Sequence, residues 1–291
     1  MKVARTKREL RELLAGDGGD GRAIGLVPTM GALHEGHLSL LREARRRCDV
    51  VVMSLFVNPS QFGPQEDLEA YPRDEEHDLA LAEDAGVDVV YAPAADEVYP
   101  DGFATSVEVG GGLTDVLCGD PARRGPGHFK GVTTVVAKLF NSVQPDIAFF
   151  GQKDAQQVAV IRRMARDLDF PVEIVALPIV REPDGLALSS RNAYLSAEQR
   201  ERAGALSRAL RAAASAASAP GSLQGALDVA RAELERAGIE PEYLEARDPD
   251  DLSPVESFNG RPVLVAVAAR VGPARLIDNV VIGPGGSGEG P

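Results

Sequence analysis

With 291 residues, 44% hydrophobic and 26% charged, the chain can bury the core of one large or two medium domains, which excludes a disordered or low-complexity polymer. Its 31 Lys and Arg against 44 Asp and Glu give a formal net charge of -13, a field that repels nucleic acid and anionic membrane, so an anionic substrate must be captured by local positive charge. Two cysteines, Cys48 and Cys118, with no CxxC spacing, exclude a disulfide framework and a structural zinc site, and no apolar run is long enough to span a bilayer.

The opening MKVARTKRELRELLAG alternates charge with leucine in helical fashion and lacks the apolar core and cleavage site of a signal peptide, so the expected location is the reducing cytoplasm. An apolar run at 23–27 reads as a strand. PTMGALHEGH, 28–37, follows it and leads into a helix over 38–48, where Leu38, Leu41, Ala44, Arg45 and Cys48 recur at helical spacing. In such a turn Gly31 and Gly36 let the backbone approach a ligand closely, and the N–H groups opening the helix favour an anion. The histidines have a plainer alternative as a helix cap or as satisfied core side chains. Zinc ligation is not expected of them, because HExxH places its ligands four residues apart on an unbroken helix, whereas His34 and His37 are three apart with Gly36 between them.

Further apolar runs at 50–56, 87–91, 147–150 and 172–177 are mostly too continuous to be half-exposed and read as buried parallel strands. Helical patterns at 74–85, 131–143 and 154–168 alternate with them, which predicts an α/β fold with a Rossmann-like doubly wound parallel sheet and a ligand crevice at the carboxyl ends of its strands. FVNPSQF sets Asn58 and Gln61 just past one strand, in a loop directed by Pro59, where an amide can grip a carboxylate or hydroxyl. The Gly- and Pro-rich stretch 98–128 could hold a small excursion of strands at 106–109 and 113–117. FFGQKDAQQ, 149–157, offers Gly151, Lys153, Asp154 and Gln157 at a helix start; Asp154 can simply cap the helix, while Lys153 is suited to phosphate. LSSRN, 188–192, brings two hydroxyls and a guanidinium, with a surface turn as the plain alternative.

After about residue 180 an alanine-rich helix at 197–217, a loop at 219–222, a helix reaching 237 and strands at 243–246, 262–271 and 274–282 predict a smaller α+β domain. The expected organisation is therefore 1–180, 181–283 and a flexible tail at 284–291, too polar to order itself.

Taken together, PTMGALHEGH, FVNPSQF, FFGQKDAQQ and LSSRN resemble, in order and from about residue 23 to 196, the pantothenate synthetase (pantoate–beta-alanine ligase) family. In that family PTMGALHEGH is the counterpart of the HIGH signature of the nucleotidyltransferase superfamily, and the serine-and-arginine loop resembles the KMSKS element. The resemblance implies a ligase that condenses (R)-pantoate with beta-alanine through a pantoyl adenylate, consuming ATP and releasing AMP and pyrophosphate in pantothenate biosynthesis. It implies a catalytic set of His34, His37, Lys153 and Arg191, with His37 a proton donor and His34 a phosphate partner. Met30, Gly31, Gly36, Gly151, Gln152, Asp154, Val180, Leu188, Ser189 and Ser190 would join them around ATP, with Lys153 on the phosphates and Asp154 near the ribose. Gln61 and Gln157 would hold pantoate, with Met30 and Asn58 beside it. Mg2+ would enter on the ATP phosphates with no metal site of the protein's own, no tightly bound organic cofactor is implied, and the family implies a homodimer.

The family writes Arg-Pro-Gly-His-Phe before the third helix, whereas here Gly125 separates Arg124 from Pro126, which leaves open whether Arg123 or Arg124 supplies that arginine. His128 keeps its neighbours and reads as structural as readily as catalytic, and His77, where acidic residues are common after YPR, receives no metal role. A nucleotidylyltransferase that stops after adenylyl transfer shares the first signature, but the paired glutamines argue against it. A non-catalytic nucleotide sensor is opposed by retention of both histidines, Lys153 and Arg191.

Overall fold

The apolar runs pair side by side as parallel neighbours. The computed structural model describes residues 1–17, 21–63, 68–218 and 222–283, so the tail at 284–291 and most of the loop at 219–222 lie outside the described residues. In chain order the elements are β1 (Lys2–Ala4), α1 (Lys7–Asp17), β2 (Ile24–Thr29), α2 (Glu35–Arg47), β3 (Val50–Leu55), α3 (Glu75–Asp84), β4 (Val89–Tyr91), α4 (Ala95–Val98), α5 (Pro126–Val143), β5 (Ile147–Gly151), α6 (Ala155–Asp167), β6 (Glu173–Leu177), α7 (Ala197–Ser218), α8 (Leu223–Arg236), β7 (Pro241–Arg247), β8 (Val263–Val271) and β9 (Ala274–Ile282). Among the described residues a six-stranded sheet runs β1-β4-β3-β2-β5-β6, all parallel, and a separate three-stranded antiparallel sheet runs β7-β8-β9. Strand order reverses between β2 and β5, and in doubly wound sheets that reversal opens the ligand crevice. Contacts divide the chain into one unit of Met1–Gly151 with Val160–Leu177 and another of Gln152–Ala159 with Pro178–Pro291.

In the first unit α2 packs on β2, β3 and β5, burying Val27, Leu41, Met53 and Phe149 together. β2 can lie this close because Gly25 has no side chain: a Cβ there would stand 2.8 Å from Cys48 Sγ and 3.2 Å from Phe149 Cε2. Gly25→Ala is therefore expected to destabilise the protein by about 1–3 kcal/mol through overpacking. Urea denaturation measures this, and an unchanged midpoint would mean that α2 can retreat freely.

Three local readings are corrected. β1 pairs with β4, although KVA is too short and too charged to announce a strand. Residues 106–109 and 113–117 form no strands. Val107 instead takes its hydrogen bonds from α5, accepting from Thr133 Oγ1 at 2.7 Å and donating to Thr134 Oγ1 at 3.0 Å, while Gly111, Gly112 and Leu117 adopt φ of 74°, 87° and 50° and bend the chain away from extension. α5 starts at Pro126 rather than at 131, since proline at the first helical position has no N–H to lose, and this puts His128 in the first turn.

In the second unit the alanine-rich α7 buries Ala205, Leu206, Ala209, Leu210 and Ala213 against α8 and the three-stranded sheet. β8 is covered on both faces, only Arg270 being exposed, so its sequence shows no alternation. Arg181 meets the buried Asp278 of β9 through two hydrogen bonds of 2.7 and 3.0 Å.

Candidate active site

Past β2 the chain turns through two consecutive left-handed residues, Gly31 at φ 87° and Ala32 at φ 51°. This turn brings the N–H groups of Ala32 and the following Leu33 together, a concavity suited to an anion. The occupant is the carboxylate of Asp78 on α3, only 1% exposed: Oδ2 accepts from Ala32 N–H at 2.9 Å and Oδ1 from Leu33 N–H at 2.7 Å. Sequence reasoning missed Asp78. Its signal was an acid four residues before the buried Ala82, on the covered face of a helix.

Held in this way, the turn delivers His34 to the N-cap of α2. His34 Nδ1 accepts from Gly36 N–H at 3.1 Å, and His37 Nδ1 accepts, at a long 3.4 Å, from His34 N–H; the rings lie 4.2 Å apart. The capping alternative is thus realised, and it carries a chemical consequence. A main-chain N–H can only donate, so each Nδ1 is an acceptor and the proton of each neutral ring sits on Nε2.

Beyond β3, residues 59–61 make a single 3-10 turn capped by Asn58. The amide of Gln61 lies between Asn58 Nδ2, 3.2 Å from its Oε1, and Met30 Sδ, 2.8 Å from its Nε2. The Gln61 carbonyl accepts from His128 Nδ1 at 2.8 Å, and His128 Nε2 is 3.0 Å from Arg124 Nη1. A carbonyl, which only accepts, on one nitrogen and a guanidinium, which only donates, on the other select the His128 tautomer that carries its proton on Nδ1. Arg123 instead bonds the Leu117 carbonyl at 2.8 Å and faces Asp120 at 3.7 Å. Of the two arginines left open, Arg124 reaches the Gln61 turn through His128.

His77 is exposed on α3, and among the described residues no group of three or more His, Cys, Asp or Glu could hold a metal ion. A cavity of about 520 Å³ in the same unit is lined by Arg5, Glu75, Asp96 and Glu97 among others, and by none of the candidate residues.

Gly151 ends β5 at the close of the first unit's main segment, and the second unit holds the other candidates. Gln152–Asp154 form a 3-10 turn whose first two carbonyls, those of Gln152 and Lys153, accept from one amide, Asn279 Nδ2 of β9, at 2.9 and 3.0 Å. Asn279 is 3% exposed, so this clamp is shielded from water. Lys153 Nζ stands 3.9 Å from Asp154 Oδ2, a loose pairing that leaves the ammonium available to another anion. Gln157 is half-buried in the first turns of α6. Val180 and Leu188 are bonded directly, Leu188 N–H to the Val180 carbonyl at 3.0 Å. Ser189 caps the 3-10 turn Ser190–Tyr194 by accepting from Arg191 N–H at 3.3 Å, so the plain turn role is also present. β9 packs against both 3-10 turns and braces them.

The sequence profile of the pantoate-beta-alanine ligase family matches residues 2–281. A pantothenate synthetase of Moorella thermoacetica is 56% identical over 286 residues, which cover 97% of this chain and 99% of that protein. Among solved structures, the pantothenate synthetase of Thermus thermophilus superposes with a TM-score of 0.90 at 49% identity, covering 96% of this chain and 99% of that one. The pantoate-beta-alanine ligase of Francisella tularensis, complexed with beta-gamma ATP and beta-alanine, superposes with a TM-score of 0.78 at 32% identity, covering 96% and 97%.

Proposed function

The chain belongs to the pantoate-beta-alanine ligase family, and on that basis we propose how its residues divide the reaction. It is an ATP-dependent ligase that joins (R)-pantoate to beta-alanine through a pantoyl adenylate, releasing AMP and pyrophosphate. The attacking carboxylate is already ionised at neutral pH and needs no base. The obstacle is repulsion, since pantoate and triphosphate are both anionic and charge grows on the phosphoryl oxygens during transfer.

In our reading Lys153, Arg191 and the Nε2–H groups of His34 and His37 offset that charge. The observation that carries it is the capped turn: with both Nδ1 atoms engaged by main-chain N–H, each imidazole offers a donor on Nε2, the tautomer a phosphate oxygen requires. Mg2+, carried in on the triphosphate, would supply further neutralisation. Met30, Gly31, Gly36, Gly151, Gln152, Asp154, Val180, Leu188, Ser189 and Ser190 complete the proposed ATP contacts. Arg124 is taken as the arginine of the family string before His128. The part from 181 to 283 serves as the lid, and a cytoplasmic homodimer is the expected form.

In the second step the ammonium of beta-alanine must lose a proton before it attacks. Aligning amine and adenylate in one pocket can contribute about 7–11 kcal/mol, so orientation outweighs any single base. Gln61 and Gln157 hold pantoate in this scheme. Gln61→Ala and Gln157→Ala are each expected to raise the pantoate KM about tenfold with smaller effects on ATP; unchanged values in both would discard the assignment. Purified protein supplied with ATP, Mg2+ and pantoate, with and without beta-alanine, tests the whole scheme. AMP should accumulate only when the amine is present, and pyrophosphate release with no AMP would favour an adenylyltransferase.

A further inference from the structure

The side chain of Asn58, 1% exposed, has its hydrogen-bonding capacity filled. Oδ1 accepts from Ser60 N–H at 3.3 Å, the Ser60 hydroxyl at 2.8 Å and the Tyr99 hydroxyl at 2.8 Å; Nδ2 donates to the Gly131 carbonyl and to Gln61 Oε1, both at 3.2 Å. Two of these partners are main-chain groups of a single sign. The Gly131 carbonyl can only accept and the Ser60 N–H can only donate, so a flipped Asn58 amide would lose both bonds. With Asn58 fixed, Gln61 must turn Oε1 toward it. Gln61 Nε2 then points the other way, toward Met30 Sδ at 2.8 Å, a weak acceptor that a carboxylate or hydroxyl oxygen can displace.

The support beneath this pair of amides is rigid. A Cβ on Gly131 would come within 2.3 Å of the Ser60 carbonyl oxygen and 2.6 Å of Gln61 N, so α5 touches the turn through bare backbone. Tyr99 is held from the other side, its ring 5.2 Å from Phe103 and 6.4 Å from Phe56. Burial pushes its phenol above the ordinary value against the opposing hydrogen bonds of Ser60 and Asn58, so the hydroxyl keeps its proton.

We propose that Tyr99, Asn58 and the Gly131 carbonyl form a polarity relay that presents Gln61 to the substrate as a hydrogen-bond donor, making Tyr99 and Asn58 positioning residues that act on pantoate through Gln61. This rests on the reading of Gln61 as a pantoate ligand. A carboxylate only accepts hydrogen bonds, so it needs the Nε2 end of the amide and is repelled by the Oε1 end. Neither Tyr99 nor Asn58 touches pantoate in this arrangement.

Steady-state kinetics and melting temperatures of Tyr99→Phe, Asn58→Asp, Gln61→Ala and the double variant Asn58→Asp/Gln61→Ala test the relay. Tyr99→Phe removes one donor to Asn58 and is expected to raise the pantoate KM about tenfold, with the ATP KM and melting temperature unchanged. Asn58→Asp replaces Nδ2 with an oxygen, which draws Gln61 Nε2 toward position 58 and turns Oε1 to the substrate. The pantoate KM should then rise about a hundredfold, more than in Gln61→Ala, because an acceptor now faces an anion. In the Gln61→Ala background the same change should add less than about threefold. A full additive effect there would place Asn58 on the substrate and overturn the relay, as would an unchanged pantoate KM in Tyr99→Phe. If Asn58→Asp does not fold, Tyr99→Phe decides by itself. An unchanged pantoate KM in Gln61→Ala instead removes the underlying assignment of Gln61, a distinct failure.

Discussion

Lys153→Ala is expected to slow formation of the pantoyl adenylate by about 10²–10³-fold while changing the dissociation constant for ATP by less than about threefold. The asymmetry follows from when the charge appears. Ground-state triphosphate is already solvated, whereas the charge that builds on the equatorial oxygens during transfer must be met by groups that need no rearrangement. Lys153 is such a group: its turn is clamped by Asn279 through two carbonyls, its side chain is 22% exposed, and Asp154 stands 3.9 Å away, too far to neutralise it fully. Rapid-quench measurement of pyrophosphate release, set beside calorimetric titration of ATP, separates the two quantities. Equal losses in rate and affinity would make Lys153 a binding residue and end its electrostatic role.

Asp78→Ala should unfold more of the stability margin than any other single change considered. The substitution leaves the N–H groups of Ala32 and Leu33 without their acceptor, at about 1–3 kcal/mol each, and removes what holds Ala32 at φ 51°, a conformation worth roughly 1–2 kcal/mol of strain. A total loss of about 2–6 kcal/mol, less whatever strain Ala32 releases, is expected by chemical denaturation. Since margins of about 5–15 kcal/mol are usual for folded domains, the variant is near the edge of foldability. Asp78→Asn keeps the volume and one acceptor but turns an NH2 toward an N–H, so about half the loss should remain, together with weaker catalysis as the His34 cap loosens. Full activity and a midpoint unchanged in Asp78→Ala would show that the turn holds its own shape.

The strands at 23–27, 50–56 and 147–150 were legible because buried parallel strands must be apolar on both faces, and the alternation with helices then dictated the sheet; the run at 172–177 does form a strand, but β6 lies at the sheet edge with Glu173 exposed and the rest only partly buried, so the expectation of full burial there is corrected. The turn 28–37 was legible because Gly31 carries a backbone angle few residues adopt. What could not be read depends on partners remote in sequence. Asp78 acts on main-chain groups 46 and 45 residues away, and Asn279 on carbonyls 127 and 126 residues away, so neither leaves a local pattern. Tyr99 meets Asn58 across 41 residues. The stretch 106–117 misled for a related reason: its apolar residues suggest strands, but the hydroxyls of Thr133 and Thr134 satisfy Val107 from a helix. Pro126 and Gly127 read as loop, although proline suits the first turn of a helix.

Asn279 is translated 126 residues after the lysine whose backbone it steadies. A nascent chain therefore carries Lys153 long before it carries the clamp, and the turn can be set only once β9 has left the ribosome and closed its sheet. Fragments released early would hold the Lys153 segment without its brace, so under the role proposed for Lys153 adenylate chemistry, and the ATP it consumes, is reserved for molecules whose synthesis has passed that point.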